Sequence, residues 1–173
     1  MSRLGTAALS YAARGWRVLP AQPRGKNPGA LLGKDWQSKA TTDRAVIERW
    51  WERWPEANVA ILLGADLAVL DLDRGAEQRV RELLGALAPP TPTVKSGSGW
   101  HLYFKPPPDG VAPVRFGQPG DPDLELRGGN QIVIAPPSVH PSGATYAWLR
   151  ERAPHAVRLA GLPGRLLAAR AST

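Results

Sequence analysis

The chain has 173 residues, the length of one ordinary domain, and can bury about two-thirds of the surface that its unfolded form exposes. It contains no cysteine, which excludes disulfides, zinc–thiolate centres and thiol catalysis. Lys and Arg number 22 against 15 Asp and Glu, and the resulting net charge of +7 suits a polyanionic partner or an anionic small molecule.

The longest apolar run, Val59 to Leu63, has a strand's length and falls far short of the roughly 18 residues of a membrane span. The N-terminus lacks the apolar stretch of a secretory signal, so a cytoplasmic protein without membrane contact is expected. Seven tryptophans and eighteen prolines are more than a helical bundle usually carries and point to a mixed fold.

Leu4, Ala7, Ala8 and Tyr11 recur at helical spacing and predict a helix over 3–13, stopped by Gly15. Trp16 to Leu19 reads as a short strand ending at Pro20, and 21–37 as a Gly/Pro-rich loop. Thr42 is expected to cap a helix that buries Val46, Ile47, Trp50, Trp51 and Trp54 and closes at Pro55. Two strands follow, Val59 to Leu63 and Leu67 to Leu72, hinged by Gly64. Val80, Leu83, Leu84 and Leu87 mark a helix ended by Pro89-Pro90. Short strands are then expected at Thr91 to Lys95, His101 to Phe104, Leu124 to Leu126, Ile132 to Ile134 and Tyr146 to Leu149. Residues 105–123 read as a loop, and Pro163 to Arg170 as a last helix. The class is α+β.

Five segments carry residues capable of chemistry. In Leu70-Asp71-Leu72-Asp73 the strand alternation puts both aspartates on one face and both leucines on the other. Two carboxylates about 7 Å apart at their Cα atoms suit a hard divalent cation. Buried without one, they would repel, and one would take up a proton. A strand end entering a solvated turn is the alternative. In Leu124-Glu125-Leu126-Arg127-Gly128-Gly129, Glu125 and Arg127 share a face, either as an edge-strand surface or as a third carboxylate beside a cation.

Lys95-Ser96-Gly97-Ser98-Gly99-Trp100-His101 is a small-residue turn able to cradle phosphate, or a plain Ser/Gly hairpin; it is not a P-loop. Beyond it, His101 and Tyr103 share a face turned away from the core. Ala135 to Gly143 is a proline-stiffened loop presenting Ser138 and His140. Pro23 to Pro28 is a basic loop with Lys26, either plainly exposed or in contact with phosphate.

Taken in order, these segments resemble the bifunctional primase/polymerase (prim-pol) domain of the archaeo-eukaryotic primase superfamily. The likeness runs through Gly15 to Pro20, Lys26 and Pro28, Ala40 to Asp43, Trp50-Trp51, Pro55 to Ala60, Val69 to Asp73, Ser96 to Gly99 with His101, Tyr103 and Phe104, Glu125 to Gly129, Ala135 to Gly143, and Tyr146. It spans residues 5 to 168, nearly the whole chain. It implies that Asp71, Asp73 and Glu125 are catalytic carboxylates holding two Mg²⁺ or Mn²⁺ ions. Ser96, Gly97, Ser98 and His101 would hold the nucleotide triphosphate, and Arg127, Ser138, His140 and Lys26 would make further nucleotide contacts. The family more often has Asp where Glu125 stands, and Gly where Trp100 precedes the histidine; that indole is expected to narrow the nucleotide pocket or shift the turn.

The implied fold is a small N-terminal αβ unit packed on an RRM-like antiparallel or mixed sheet, forming one catalytic domain over 1–173. The implied function is template-directed nucleotidyl transfer, a DNA primase/polymerase acting on a single-stranded DNA template and a primer with deoxyribo- or ribonucleoside triphosphates. Related proteins often carry a helical domain and a helicase after this domain, and Ala168 to Ala171 reads as the start of a linker. One alternative is a catalytically degenerate module that binds single-stranded DNA, which the presence of all three carboxylates opposes. The other is a haloacid-dehalogenase-type phosphatase, whose Asp-x-Asp strand would lie nearer the N-terminus and be followed by a late acidic pair; no two acidic residues are adjacent here.

Overall fold

A computed structural model describes residues 1–85 and 89–171. In chain order these form α1 (Arg3–Ala13), β1 (Val18–Ala21), α2 (Gly29–Leu32), α3 (Arg44–Arg53), β2 (Asn58–Leu62), β3 (Ala68–Asp73), α4 (Glu77–Leu84), β4 (Thr93–Lys95), β5 (Gly99–Lys105), β6 (Val114–Arg115), β7 (Leu124–Arg127), β8 (Ile132–Ala135), β9 (Ala147–Trp148), β10 (Ala160–Gly161) and α5 (Gly164–Ala171). The chain divides into two compact units, 1–63 with 130–147, and 64–129 with 148–173. The mixed α+β class expected from the sequence is present, with antiparallel pairing at both sheet centres.

The first unit is built on a three-stranded sheet in the order β1-β2-β8. All five residues of β2 are buried, which is why its sequence is a continuous apolar run after Asn58 rather than an alternating one. Pro20 lies inside β1 instead of ending it, because β1 is an edge strand and a residue without an N–H is tolerated there. The cap of α3 is Asp43, not Thr42: its Oδ1 accepts from the N–H groups of Ala45 and Val46 at 2.8 and 3.2 Å, a motif that stabilises by about 1 kcal/mol. Only Ile47 and Trp51 of the expected α3 stripe are fully buried. Trp51 donates its indole N–H to Ala57 O at 2.9 Å, which fixes the approach to β2. The stretch 21–37 is less irregular than expected. It holds α2 and the start of a 3-10 turn at Trp36–Lys39, each too short to show a period.

The second unit is a seven-stranded sheet in the order β6-β7-β3-β5-β4-β9, with β10 alongside β5. β3 is central, antiparallel to β5 on one side and to β7 on the other. Its Leu70 and Leu72, with Leu124, Leu126 and Phe104, face a core closed by Leu83 and Leu84 of α4 and Leu166 of α5. Burying each such side chain contributes about 1.5–3 kcal/mol. Trp100 packs against this same core, so the indole lies on the leucine face and not on the face of Asp71, which leaves a shifted turn as the other expectation for it.

α4 stops at Gly85, whose φ of +81° ends the helix before Pro89-Pro90; Leu87 lies outside the described residues. β6, inside the expected loop 105–123, pairs with β7. β10 escapes sequence reading because two residues carry no alternation. Among the described residues, no helix is long and apolar enough to cross a membrane.

Candidate active site

Strand register assembles the site. On β3, Asp71 is the Cα partner of His101 on β5 and of Glu125 on β7. Paired residues project to the same face, so His101, Asp71 and Glu125 form one row across three strands. Val69 pairs with Tyr103 and Arg127 in the next row, and Asp73 pairs with Gly99 at the strand end. Because Leu70 and Leu72 take the core face, every acidic residue of β3 is turned to the other one.

That second face is more covered than the sequence suggests. His101 and Tyr103 are buried, and Trp148 meets the Tyr103 ring edge-on at 4.9 Å between centroids. The alternation from 100 to 104 marks two faces correctly, but it carries no sign that a later strand supplies an aromatic lid to the polar one.

Asp71 sits between two nitrogen donors. His101 Nε2 lies 3.4 Å from Oδ1, and Arg127 Nη1 lies 3.4 Å from Oδ2. Burial acts to raise the Asp71 carboxyl, but the hydrogen bond and charge of His101, followed by those of Arg127, outweigh it and hold the group below its ordinary value. For Asp71, crowding therefore does not raise the carboxyl. Both contacts are long for charge-assisted hydrogen bonds, so the carboxylate is held electrostatically rather than locked. Arg127 Nε is buried and has no hydrogen-bond partner among the described residues.

A stability test follows from the Asp71 shift. Its folded value lies below the ordinary 3.8, so its contribution is complete above that pH and is lost as pH falls through the lowered folded value. Urea unfolding of metal-free protein should therefore show a stability gap between wild type and Asp71→Asn that is widest above about pH 4 and closes at lower pH. A gap constant with pH would contradict the pairing.

The turn from Ser96 to Gly99 closes the β4–β5 hairpin. Ser96 N–H donates to Gly99 O at 2.8 Å, and Ser96 Oγ accepts from Gly99 N–H at 3.0 Å, so this buried hydroxyl shapes the turn. Arg74 N–H donates to Ser98 O, and Asp73 N–H to Asp123 O, which pins the end of β3 on both sides. The N–H groups of Gly97 and Ser98 and the exposed Ser98 hydroxyl take no part in these bonds. They are the donors the turn can offer to phosphate oxygens. Gly99 is required by packing: a Cβ there would stand 1.9 Å from Leu72 O.

The remaining expected contacts lie in the first unit. Ser138 is fully buried, and its Oγ accepts from Val59 N–H at 2.8 Å. His140 Nδ1 is 3.0 Å from the donating N–H of Ser142, and its ring leans on Tyr146 with centroids 5.6 Å apart. Lys26 is exposed. Asn58, to which sequence reading gave no role, is buried and donates to Gly25 O and Val139 O at 2.9 and 2.8 Å. Its Oδ1 accepts from Val139 N–H at 2.9 Å. The available signal was a lone amide heading an apolar strand.

The middle strand of this sheet thus carries an Asp-x-Asp pair beside a glutamate, an arginine and a serine–glycine turn. A family model described as bifunctional DNA primase/polymerase, N-terminal, matches residues 8–165, and the chain belongs to that family. No curated protein matches the chain. Membership supports an enzyme of the nucleotidyltransferase type with DNA and nucleotides as substrates; enzymes of this family generally use divalent metals.

Proposed function

We propose that the protein is a template-directed DNA primase/polymerase that adds nucleotides to a primer on single-stranded DNA, with Asp71, Asp73 and Glu125 as its metal-holding carboxylates. The observation that carries this reading is the register of β3 with β5 and β7, which puts all three carboxylates on one sheet face beside His101 and Arg127.

The donor set suits Mg²⁺ or Mn²⁺, since all three groups are hard oxygen ligands on adjacent strands. As the side chains stand, no group of three acidic or histidine residues among the described ones converges for a metal, and Asp71 faces its two nitrogen partners instead. Loading the site therefore requires the Asp71 carboxylate to turn from them. Two such cations, when bound, lower the pKa of the attacking 3′-hydroxyl and stabilise the leaving pyrophosphate.

The chain's own residues do the placing. Asp73 is fixed by the backbone bonds on either side of it, so its carboxylate has a constant origin. His101, with Arg127, favours the ionised form of Asp71 before a cation is bound. Gly97 and Ser98 offer N–H donors, and Ser98 a hydroxyl, to the triphosphate, while Ser96 holds the turn in shape. Arg127, beside Asp71 on the same face, is read as a further nucleotide contact. Lys26 and His140 add nucleotide contacts, and Ser138 steadies the loop that carries His140. The second unit's sheet is read as RRM-like, the whole as one catalytic domain, and a helicase as its working partner.

Extension of a labelled primer on single-stranded DNA with Mg²⁺ or Mn²⁺ tests this reading. The nucleotide added should follow the template base, and a chelator should stop synthesis. Addition indifferent to the template would contradict it.

A further inference from the structure

Two loops of the first unit are joined by one side chain. The Asn58 amide bonds Gly25 O in the basic loop and both Val139 O and Val139 N–H in the loop carrying His140. Its orientation is forced, because the opposite placement would set its NH₂ against an N–H and its oxygen against two carbonyls. Three bonds of 2.8 to 2.9 Å from one buried amide exceed what a strand-start residue needs for its own backbone.

What the clamp brings together is two basic side chains and a histidine, with no acidic group beside them. Neither stretch 22–28 nor stretch 136–143 carries an acidic side chain, while Arg24, Lys26 and His140 all lie on them. Arg24 is exposed and held at φ +56°, a backbone conformation uncommon for a residue with a side chain. Its Nη2 lies 3.3 Å from where a Cβ of Gly143 would stand, so the guanidinium reaches the far end of the His140 loop. Ser142 fixes the His140 ring through Nδ1.

We propose that Arg24, Lys26 and His140 form a single edge that binds the phosphate oxygens of a nucleoside triphosphate, and that Asn58 is its positioning residue. This rests on the nucleotide reading of Lys26 and His140 given above and adds Arg24 as the third group and the second cation. Asn58 touches no substrate; it sets the spacing of the groups that do. A guanidinium matches two phosphate oxygens at once, and its gain depends on the loop being held in place.

The test measures binding of a deoxynucleoside triphosphate, of inorganic triphosphate and of a single-stranded oligonucleotide to wild type and to Arg24→Ala, Lys26→Ala, His140→Ala and Asn58→Asp. Asn58→Asp keeps the side-chain size but removes both donors. Asn58→Asp and Arg24→Ala should each weaken binding of both triphosphates by about tenfold, the order of one charge-assisted hydrogen bond. Their double variant should lose little more than either alone, because Asn58 acts through the loop that carries Arg24.

Additive losses would overturn the positioning role. So would wild-type triphosphate affinity in Asn58→Asp when Lys26→Ala or His140→Ala is impaired, an outcome that leaves the nucleotide reading intact. Unchanged binding in all the variants would overturn both. Losses confined to the oligonucleotide would assign the edge to the nucleic-acid backbone and overturn the triphosphate assignment. Should Asn58→Asp fail to fold, Asn58→Thr gives the same comparison, and Arg24→Ala, at an exposed position, tests the edge directly.

Discussion

Primer extension by Asp73→Asn and by Glu125→Gln should fall at least about a hundredfold, which corresponds to about 2.7 kcal/mol of barrier. Each substitution keeps the side-chain shape and removes only the charge a divalent cation needs. Both residues lie on a half-buried sheet face outside the leucine core, so unfolding midpoints should stay near wild type. Asp71→Asn should lose as much activity but behave differently in stability. The sequence suggests that removing any of these carboxylates relieves repulsion, whereas Asp71 lies between His101 and Arg127. Neutralising it leaves two nitrogen donors with a weaker partner, at a cost of about 1–3 kcal/mol. Circular dichroism melts beside extension rates separate the two effects. Full activity in Asp73→Asn would remove that residue from the chemistry.

Gly99→Ala should be the most damaging small substitution in the second unit. The added methyl would stand 1.9 Å from Leu72 O and 2.8 Å from Asp73 Cα, both backbone atoms of β3. Neither can move as a side-chain tip could, so β5 must separate from β3 at the end of that strand. Overpacking of this kind costs about 1–3 kcal/mol even where neighbours relax, and a backbone clash lies at the upper end. For a chain of this length that is a fall of roughly 6–12 °C in Tm. The same displacement shifts Asp73 and the Ser96–Gly99 turn, so extension should fall with stability. An alanine variant with wild-type Tm and activity would show that the two strands do not approach closely there.

The sheet core and the carboxylate face were legible because alternation from Val69 to Asp73 and from Leu124 to Arg127 is a local property. α1 was legible for the same reason, since eleven residues show their period. What stayed hidden is non-local. Asp71 looks crowded in sequence, yet its carboxyl is held below its ordinary value by His101 and Arg127, which lie 30 and 56 positions away. Gly99 reads as a turn residue, and only its contact with β3 shows why no side chain fits. Asn58 lies just before the strand read from Val59, and its partners lie 33 and 81 positions distant. The single turn of α2 and the two-residue strands β6 and β10 are too short for any periodic signal.

On the proposed reading, Asp71 would exchange its histidine and arginine for a divalent cation held together with Asp73 and Glu125. Loss of the free Mn²⁺ resonance on adding protein and a nucleoside triphosphate measures that exchange directly. Wild type should take up Mn²⁺ beyond what the nucleotide alone binds, and a protein carrying Asp71→Asn, Asp73→Asn and Glu125→Gln together should not. Equal uptake by the two proteins would place the metals elsewhere and contradict the account.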